Sequence, residues 1–245
     1  MNPLALFGLE IELRRWTRLG RSPVLWWRDD DAQAPTEALE RLLRLAKDLP
    51  LSLAIIPDGP LAQLAVRLAE APNVVVSQHG VDHVNRSPAG RAACEYPPIA
   101  DRAERAWRIG VGRTALAAAG LAPAFYTPPW NEIDEALPEI LKAAGYERLS
   151  AYEGARPTPG LARLDCSLDI LRWKPAARFR GWGAALRRLT RLLARRRRAG
   201  DFDTPIGLLT HHLAHDEAAW AFLEWFLVFG RRRFRWGGFE QLAPS

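Results

Sequence analysis

Ser77-Gln78-His79-Gly80-Val81-Asp82-His83 follows the apolar run Val74-Val75-Val76, which reads as a buried strand bounded by Asn73. Two histidines stand four residues apart just past the strand. If the chain turns into a helix here, positions i and i+4 share a face and both imidazoles reach one point. Such a spacing suits metal ligands. The chain has five histidines, and the other three, His211, His212 and His215, follow a second apolar run, Pro205-Ile206-Gly207-Leu208-Leu209-Thr210. A third cluster, Asp29-Asp30-Asp31, follows Val24-Leu25-Trp26-Trp27. Carboxylates and imidazoles at three predicted strand ends point to one metal site at the rim of an α/β fold.

Outward from these runs, strands and helices alternate. Residues 4–19 mix apolar and basic positions and suit an outer helix. Thr36 is placed to cap a helix whose stripe is Leu39, Leu42, Leu43 and Ala46, ending at Pro50. Residues 51–56 form the next apolar strand, and Gly59-Pro60 opens a helix with Leu61, Leu64, Ala65 and Leu68 on one face. A long loop with Tyr96-Pro97-Pro98 precedes a helix over 99–119, closed by Gly120. A short strand over 124–126 breaks at Pro128-Pro129, and a helix follows over 135–144. Strands are expected at 148–152 and 168–173, a basic helix at 182–199 and an apolar helix at 217–229. The alternation implies a mainly parallel sheet, and residues 1–245 are treated as one domain.

The net charge is +6, carried mostly by arginine. It favours anionic partners and says nothing about fold. Cys94 and Cys166 show no C-x-x-C pattern, so neither a disulfide framework nor a cysteine metal site is expected. No run approaches about 18 uninterrupted apolar residues, and the start lacks a signal-peptide pattern, so a cytoplasmic protein is expected. No nucleic-acid motif is present, and no nucleic-acid partner is predicted. The run Arg195–Arg198 reads most simply as a solvated helix face; contact with phosphate, nucleic acid or an anionic membrane surface is the alternative.

In sheets of this kind ligands bind at the carboxyl ends of the strands. Two imidazoles and a carboxylate hold a divalent ion with positions left for water and substrate. The ion lowers the pKa of bound water to about 7 in favourable sites. A second carboxylate can then accept a proton, and a further histidine can donate one to a leaving group.

Asp30-Asp31 after a hydrophobic strand, His79-x-x-x-His83, Pro128-Pro129-Trp130 and Leu209-x-His211 occur in that order. In this the chain resembles the polysaccharide deacetylases of the NodB-homology family, from about Val24 to Glu217. The resemblance implies a distorted (β/α) barrel holding a divalent metal ion, expected to be Zn2+. It implies Asp31, His79 and His83 as metal ligands, Asp30 as catalytic base and His211 as acid. Trp130 and Pro129 would line the substrate groove. Asp29 and Asp30 could instead fill the two aspartate roles. Strand alternation allows only one of His211 and His212 to face the site, and His212 is the reserve. His215 with Asp216 suits the cap of the last helix as well as a site.

The chain also departs from the family. Ala32 replaces the usual glycine after the aspartates, and Thr127 stands where an arginine commonly orients the catalytic aspartate. Arg28 is a candidate substitute, and Asp169 and Trp173 echo a further motif faintly. The resemblance implies a carbohydrate deacetylase-type hydrolase that cuts an amide C–N bond, or an ester, of a sugar-like substrate and does not cut peptides. The alternative is a catalytically silent relative that binds an anionic glycan or a lipid-linked sugar.

Overall fold

A computed structural model of the chain describes residues 2–96 and 101–243. It opens with α1 (Pro3–Arg18) and then alternates β1 (Val24–Ala32), α2 (Glu37–Ala46), β2 (Leu51–Ile55), α3 (Leu61–Leu68) and β3 (Val74–His79). After the loop come α4 (Arg102–Ala118), β4 (Phe125–Thr127), α5 (Leu137–Ala143) and β5 (Arg148–Leu149). Four short strands follow: β6 (Ala162–Arg163), β7 (Leu168–Asp169), β8 (Leu171–Arg172) and β9 (Arg178–Phe179). The chain then forms α6 (Trp182–Ala199), β10 (Ile206–Thr210), α7 (Glu217–Arg231), β11 (Arg235–Trp236) and α8 (Phe239–Leu242).

The main sheet runs β6-β5-β4-β3-β2-β1-β10-β7, all parallel, with β11 added beside the start of β1. Its two edges belong to one stretch of chain. Residues 162–163 pair with β5, Cys166 bridges to Tyr152, and residues 168–169 pair with β10. That stretch curls the sheet round on itself and gives the distorted barrel that the motifs imply.

Side-chain alternation sorts β1 into two faces. Trp27 faces the helices, where it joins the main core with Leu9, Leu39, Leu223 and Phe226. Trp26 faces the barrel interior, whose floor it closes together with Phe125 and Phe239. The rings of Phe125 and Phe239 stack at 3.7 Å. Each such fully buried side chain stabilises the fold by about 1.5–3 kcal/mol. Above Trp26 on the interior face come Arg28 and Asp30, both buried. The groove therefore lies over a sealed floor, at the carboxyl ends of β1, β3, β4 and β10.

Several expected elements differ. Residues 79–83 form no helix: the chain turns at Gly80 (φ 61°) and His83 (φ 54°). The helix expected over 99–119 starts at Arg102, because the Asp101 side chain accepts the Glu104 N–H at 2.8 Å and caps it. Ile99 and Ala100, with Pro97 and Pro98, lie outside the described residues. The helix expected from 135 starts two residues later, since Asp134 accepts the N–H groups of Ala136 and Leu137 at 2.8 and 2.9 Å. The strand expected over 168–173 is interrupted at Ile170, where Asp169 turns the chain by accepting the Leu171 N–H at 2.8 Å. Among the described residues, no helix is long and apolar enough to cross a membrane.

Candidate metal centre

Consecutive residues of a regular strand point to opposite faces, so Asp30 and Asp31 cannot both reach the groove unless the strand is irregular. It is irregular here. Asp31 has φ 73°, a left-handed conformation uncommon for a non-glycine residue, and the β1–β2 register shifts between Asp29 and Ala32. Both carboxylates consequently line a groove of about 710 Å3 with His79, His83, Trp130 and His211.

Asp31, His79 and His83 each place one ligand atom within 4.8 Å of the others. The Asp31 Oδ1 lies 3.1 Å from His79 Nε2 and 3.3 Å from His83 Nε2. A tetrahedral ion with bonds of about 2.1 Å holds its ligands about 3.4 Å apart, so the spacing suits one. His79 Nδ1 donates to the Thr127 carbonyl at 3.0 Å, so Nε2 is the nitrogen that meets Asp31, as a donor when the ring is protonated and as a lone pair when an ion is held there. A lone pair facing a carboxylate oxygen needs a proton or a cation between them, and the third donor, His83, favours a cation. Burial opposes ionisation of Asp31, but the hydrogen bond and positive field of His79, with His211 and His83, hold its carboxyl well below the usual range. Burial also opposes charge on His79, which the Asp31 bond and the two aspartates outweigh, so its pKa is raised. His83 is lowered by burial and by His79.

His83 reaches this point through a carboxylate that the sequence motifs do not flag. Glu95 Oε1 accepts the backbone N–H groups of Val81, Asp82 and His83 at 2.8, 2.8 and 2.7 Å. Glu95 is buried, and burial raises its pKa against the pull of those three donors. An acid twelve residues away in an irregular loop carries no periodicity or capping signal that would reveal this role.

Asp30 is held differently. Arg28 Nε and Nη2 donate to its two oxygens at 2.8 and 2.9 Å. The same guanidinium donates to Ser150 Oγ at 2.6 Å, the Ala151 carbonyl at 3.3 Å and Asn131 Oδ1 at 2.6 Å. Burial opposes the Arg28 charge, and Asp30 restores it, leaving its pKa raised. Arg28 thus orients Asp30 from two residues away on the same strand face. Thr127 takes no part in that clamp; its hydroxyl bonds Ser77 at 3.0 Å. His211 Nε2 lies 3.8 Å from Asp30 Oδ2.

Asp29 and His212 lie on the far side of the strand ends, away from the groove. Asp29 is fully buried, accepting from His212 Nδ1 and Thr210 Oγ1, each at 2.5 Å, and from the His212 N–H at 3.1 Å. Burial opposes its charge, yet His212 and Thr210 keep its carboxyl below the usual range. His215 likewise stays off the groove lining, packed edge-on against Trp220 at 4.5 Å. Asp216, not His215, caps α7 by accepting the Ala219 N–H at 2.7 Å.

Two tryptophans stand in the groove wall. Trp130, 38% exposed, lies over His83 with ring centroids 4.3 Å apart. Trp173 meets His211 edge-on at 4.5 Å, and its indole N–H donates to Asp169 Oδ2 at 2.9 Å, so the faint Asp169/Trp173 echo falls in the groove. Pro129, expected beside Trp130 as a substrate contact, is buried and absent from the groove lining. It packs on Gly80, which has no room for a Cβ beside it (2.4 Å to Pro129 Cγ).

No family model matches the chain, and no curated protein matches it. Solved structures do. A family 4 carbohydrate esterase from Streptomyces lividans, in complex with acetate, is 14% identical at a TM-score of 0.58, over 91% of this chain and 97% of that one. A putative polysaccharide deacetylase from Mycobacterium smegmatis is 20% identical at 0.60, over 91% and 89%. A mutant of a CE4 family pseudoenzyme, with restored enzymatic activity, is 15% identical at 0.60, over 91% and 67%. These likenesses show a shared fold, that of the NodB-type polysaccharide deacetylases.

Proposed function

We propose that the chain is a metal-dependent hydrolase that removes an acyl group, acetyl in the simplest case, from an amide or ester of a sugar-like substrate. The convergence of Asp31, His79 and His83 beside the clamped Asp30 carries this reading. The shared fold supports the sugar deacetylase class. One sheet takes strands from Val24 to Trp236, which supports residues 1–245 acting as one catalytic domain.

Asp31, His79 and His83 would hold the ion. Bound there, a divalent ion such as Zn2+ lowers the pKa of water and polarises a carbonyl. Asp30 takes the water proton, with Arg28 fixing the direction of its lone pairs. The water oxygen would bond to the acyl carbon as its C–N bond breaks, and His211 would donate a proton to the departing nitrogen, giving a free amine and a carboxylic acid that ionises by releasing its proton to water. Trp130 offers a partly exposed ring face against which a sugar can pack.

The test is metal content and acetate release on the same preparation. Purified protein should hold about one zinc-like ion per chain. It should release acetate from N-acetylglucosamine oligomers, lose that activity to a chelator and regain it with metal. Failure to bind metal in folded protein would overturn the reading. Metal and oligomer binding without acetate release would instead support the silent relative, the state from which one neighbour of this fold was rescued by mutation.

A further inference from the structure

Away from the groove, α1 and α6 pack side by side and share one outward face. On α1, Leu4 is 84% and Phe7 63% exposed, and Arg14 and Arg18 continue the same stripe at helical spacing. On α6, Arg187, Arg191, Arg195 and Arg198 repeat at i, i+4, i+8 and i+11, and all four are exposed.

Acids do not neutralise this face. Glu12 is buried between the helices, bonded to Arg15 at 3.1 Å and Arg197 at 2.6 Å. Glu10 bonds Arg233 at 3.0 Å. Of the arginines along the stripe, Arg195 alone has a carboxylate partner among the described residues, Glu153, which also lines the groove. Arg14, Arg18, Arg187, Arg191 and Arg198 form no ion pair among the described residues. Five unneutralised guanidinium groups thus lie beside two exposed apolar side chains.

From this juxtaposition we propose that the α1/α6 face is a docking surface for an anionic lipid bilayer. The arginines meet the headgroup charge, while Phe7 and Leu4 enter the acyl boundary. The apolar pair decides between polyanions, because a nucleic-acid backbone offers Leu4 and Phe7 no apolar phase. The proposal stands apart from the hydrolase reading, since no residue in it belongs to the metal centre.

The test is co-sedimentation of the purified chain with phosphatidylcholine vesicles made with and without phosphatidylserine. Binding should need the anionic lipid and weaken as salt shortens the reach of the charges. Replacing Arg187, Arg191 and Arg198 together by alanine should weaken binding on the order of a hundredfold, about fivefold for each charge. Replacing the same three by lysine should retain it. Phe7→Ser should weaken binding about tenfold, through lost apolar burial. Thermal melting of each variant confirms that the fold is intact. Equal binding to neutral vesicles, or no effect of the alanine set in folded protein, would overturn the proposal. So would tighter binding to a DNA duplex that Phe7→Ser leaves unchanged, which would assign the face to nucleic acid.

Discussion

The Asp29–His212 pair and the Asp31–His79–His83 cluster use the same two kinds of side chain, and their aspartates are two residues apart on β1. Asp29 has no exposure, and both its oxygens accept hydrogen bonds from Thr210 and His212. Asp31 opens on the groove, with one oxygen facing two imidazole nitrogens. A saturated carboxylate in a dry site is a structural bond, whereas an unsaturated one beside two donors is a place for an ion. Residue type and strand-end position do not separate the two cases; burial and hydrogen-bond supply do.

The sharpest way to break this comparison is to delete one imidazole from each cluster. His83→Ala should abolish both metal content and turnover, because two protein ligands remain. His212→Ala should keep the metal in whatever protein folds, yet destabilise the fold by about 3 kcal/mol through an unpaired buried charge. Elemental analysis and denaturant unfolding of both variants check it. Metal loss in His212→Ala with metal kept in His83→Ala would reverse the assignment.

A smaller effect separates the two groove carboxylates. Asp30→Asn should retain metal and lower turnover on the order of 10²–10⁴, while Asp31→Asn should lose metal. His211→Ala should behave like Asp30→Asn, with less loss on an activated aryl ester, whose leaving group needs no proton. Metal loss in Asp30→Asn with metal kept in Asp31→Asn would exchange the two roles.

Glu95 sharpens the contrast in a different way, since it supports the open cluster from behind. Glu95→Gln keeps the shape and removes the charge that gathers three N–H groups. Zinc affinity, measured by competition with a chelating dye, should fall about 10- to 100-fold, as for other groups that orient ligands. Unchanged affinity would show that the 80–83 turn holds His83 without it.

A pH-dependent effect concerns His215, beside the sealed pair. Burial lowers its pKa from 6.5 to about 4, against the attraction of Asp29. The unfolded chain therefore binds a proton that the folded chain resists. Its neutral ring is stable above pH 6.5, and stability is lost as pH falls from 6.5 to about 4, by at most about 3 kcal/mol. His215→Gln should flatten urea-unfolding stability across that window. An unaltered slope would mean that another group carries the acid sensitivity.

Much of this arrangement was legible in local pattern. Apolar runs located β1, β2, β3, β4 and β10, and alternation along β10 required His211 and His212 to part, as they do. The helical reading of residues 79–83 failed, because Gly80 and His83 adopt left-handed conformations and Glu95 gathers the turn's N–H groups. The roles of Ser150 and Asn131 were invisible for a similar reason. They reach Arg28 across more than a hundred residues of sequence, and only sheet order brings them near.

By itself, then, the sequence determined the alternating elements, the strand ends that carry acids and imidazoles, and the donor types at the site. These follow from side-chain period and from chemistry within a few residues. Tertiary structure alone decided which aspartate meets the histidines, through the left-handed bulge at Asp31. It also decided that Arg28 would orient Asp30 while Thr127 pairs with Ser77. The physical reason is that a strand's period assigns faces only while the strand stays regular. A clamp on a buried carboxylate depends on which distant strands lie beside it, a relation set by sheet order and closure of the barrel.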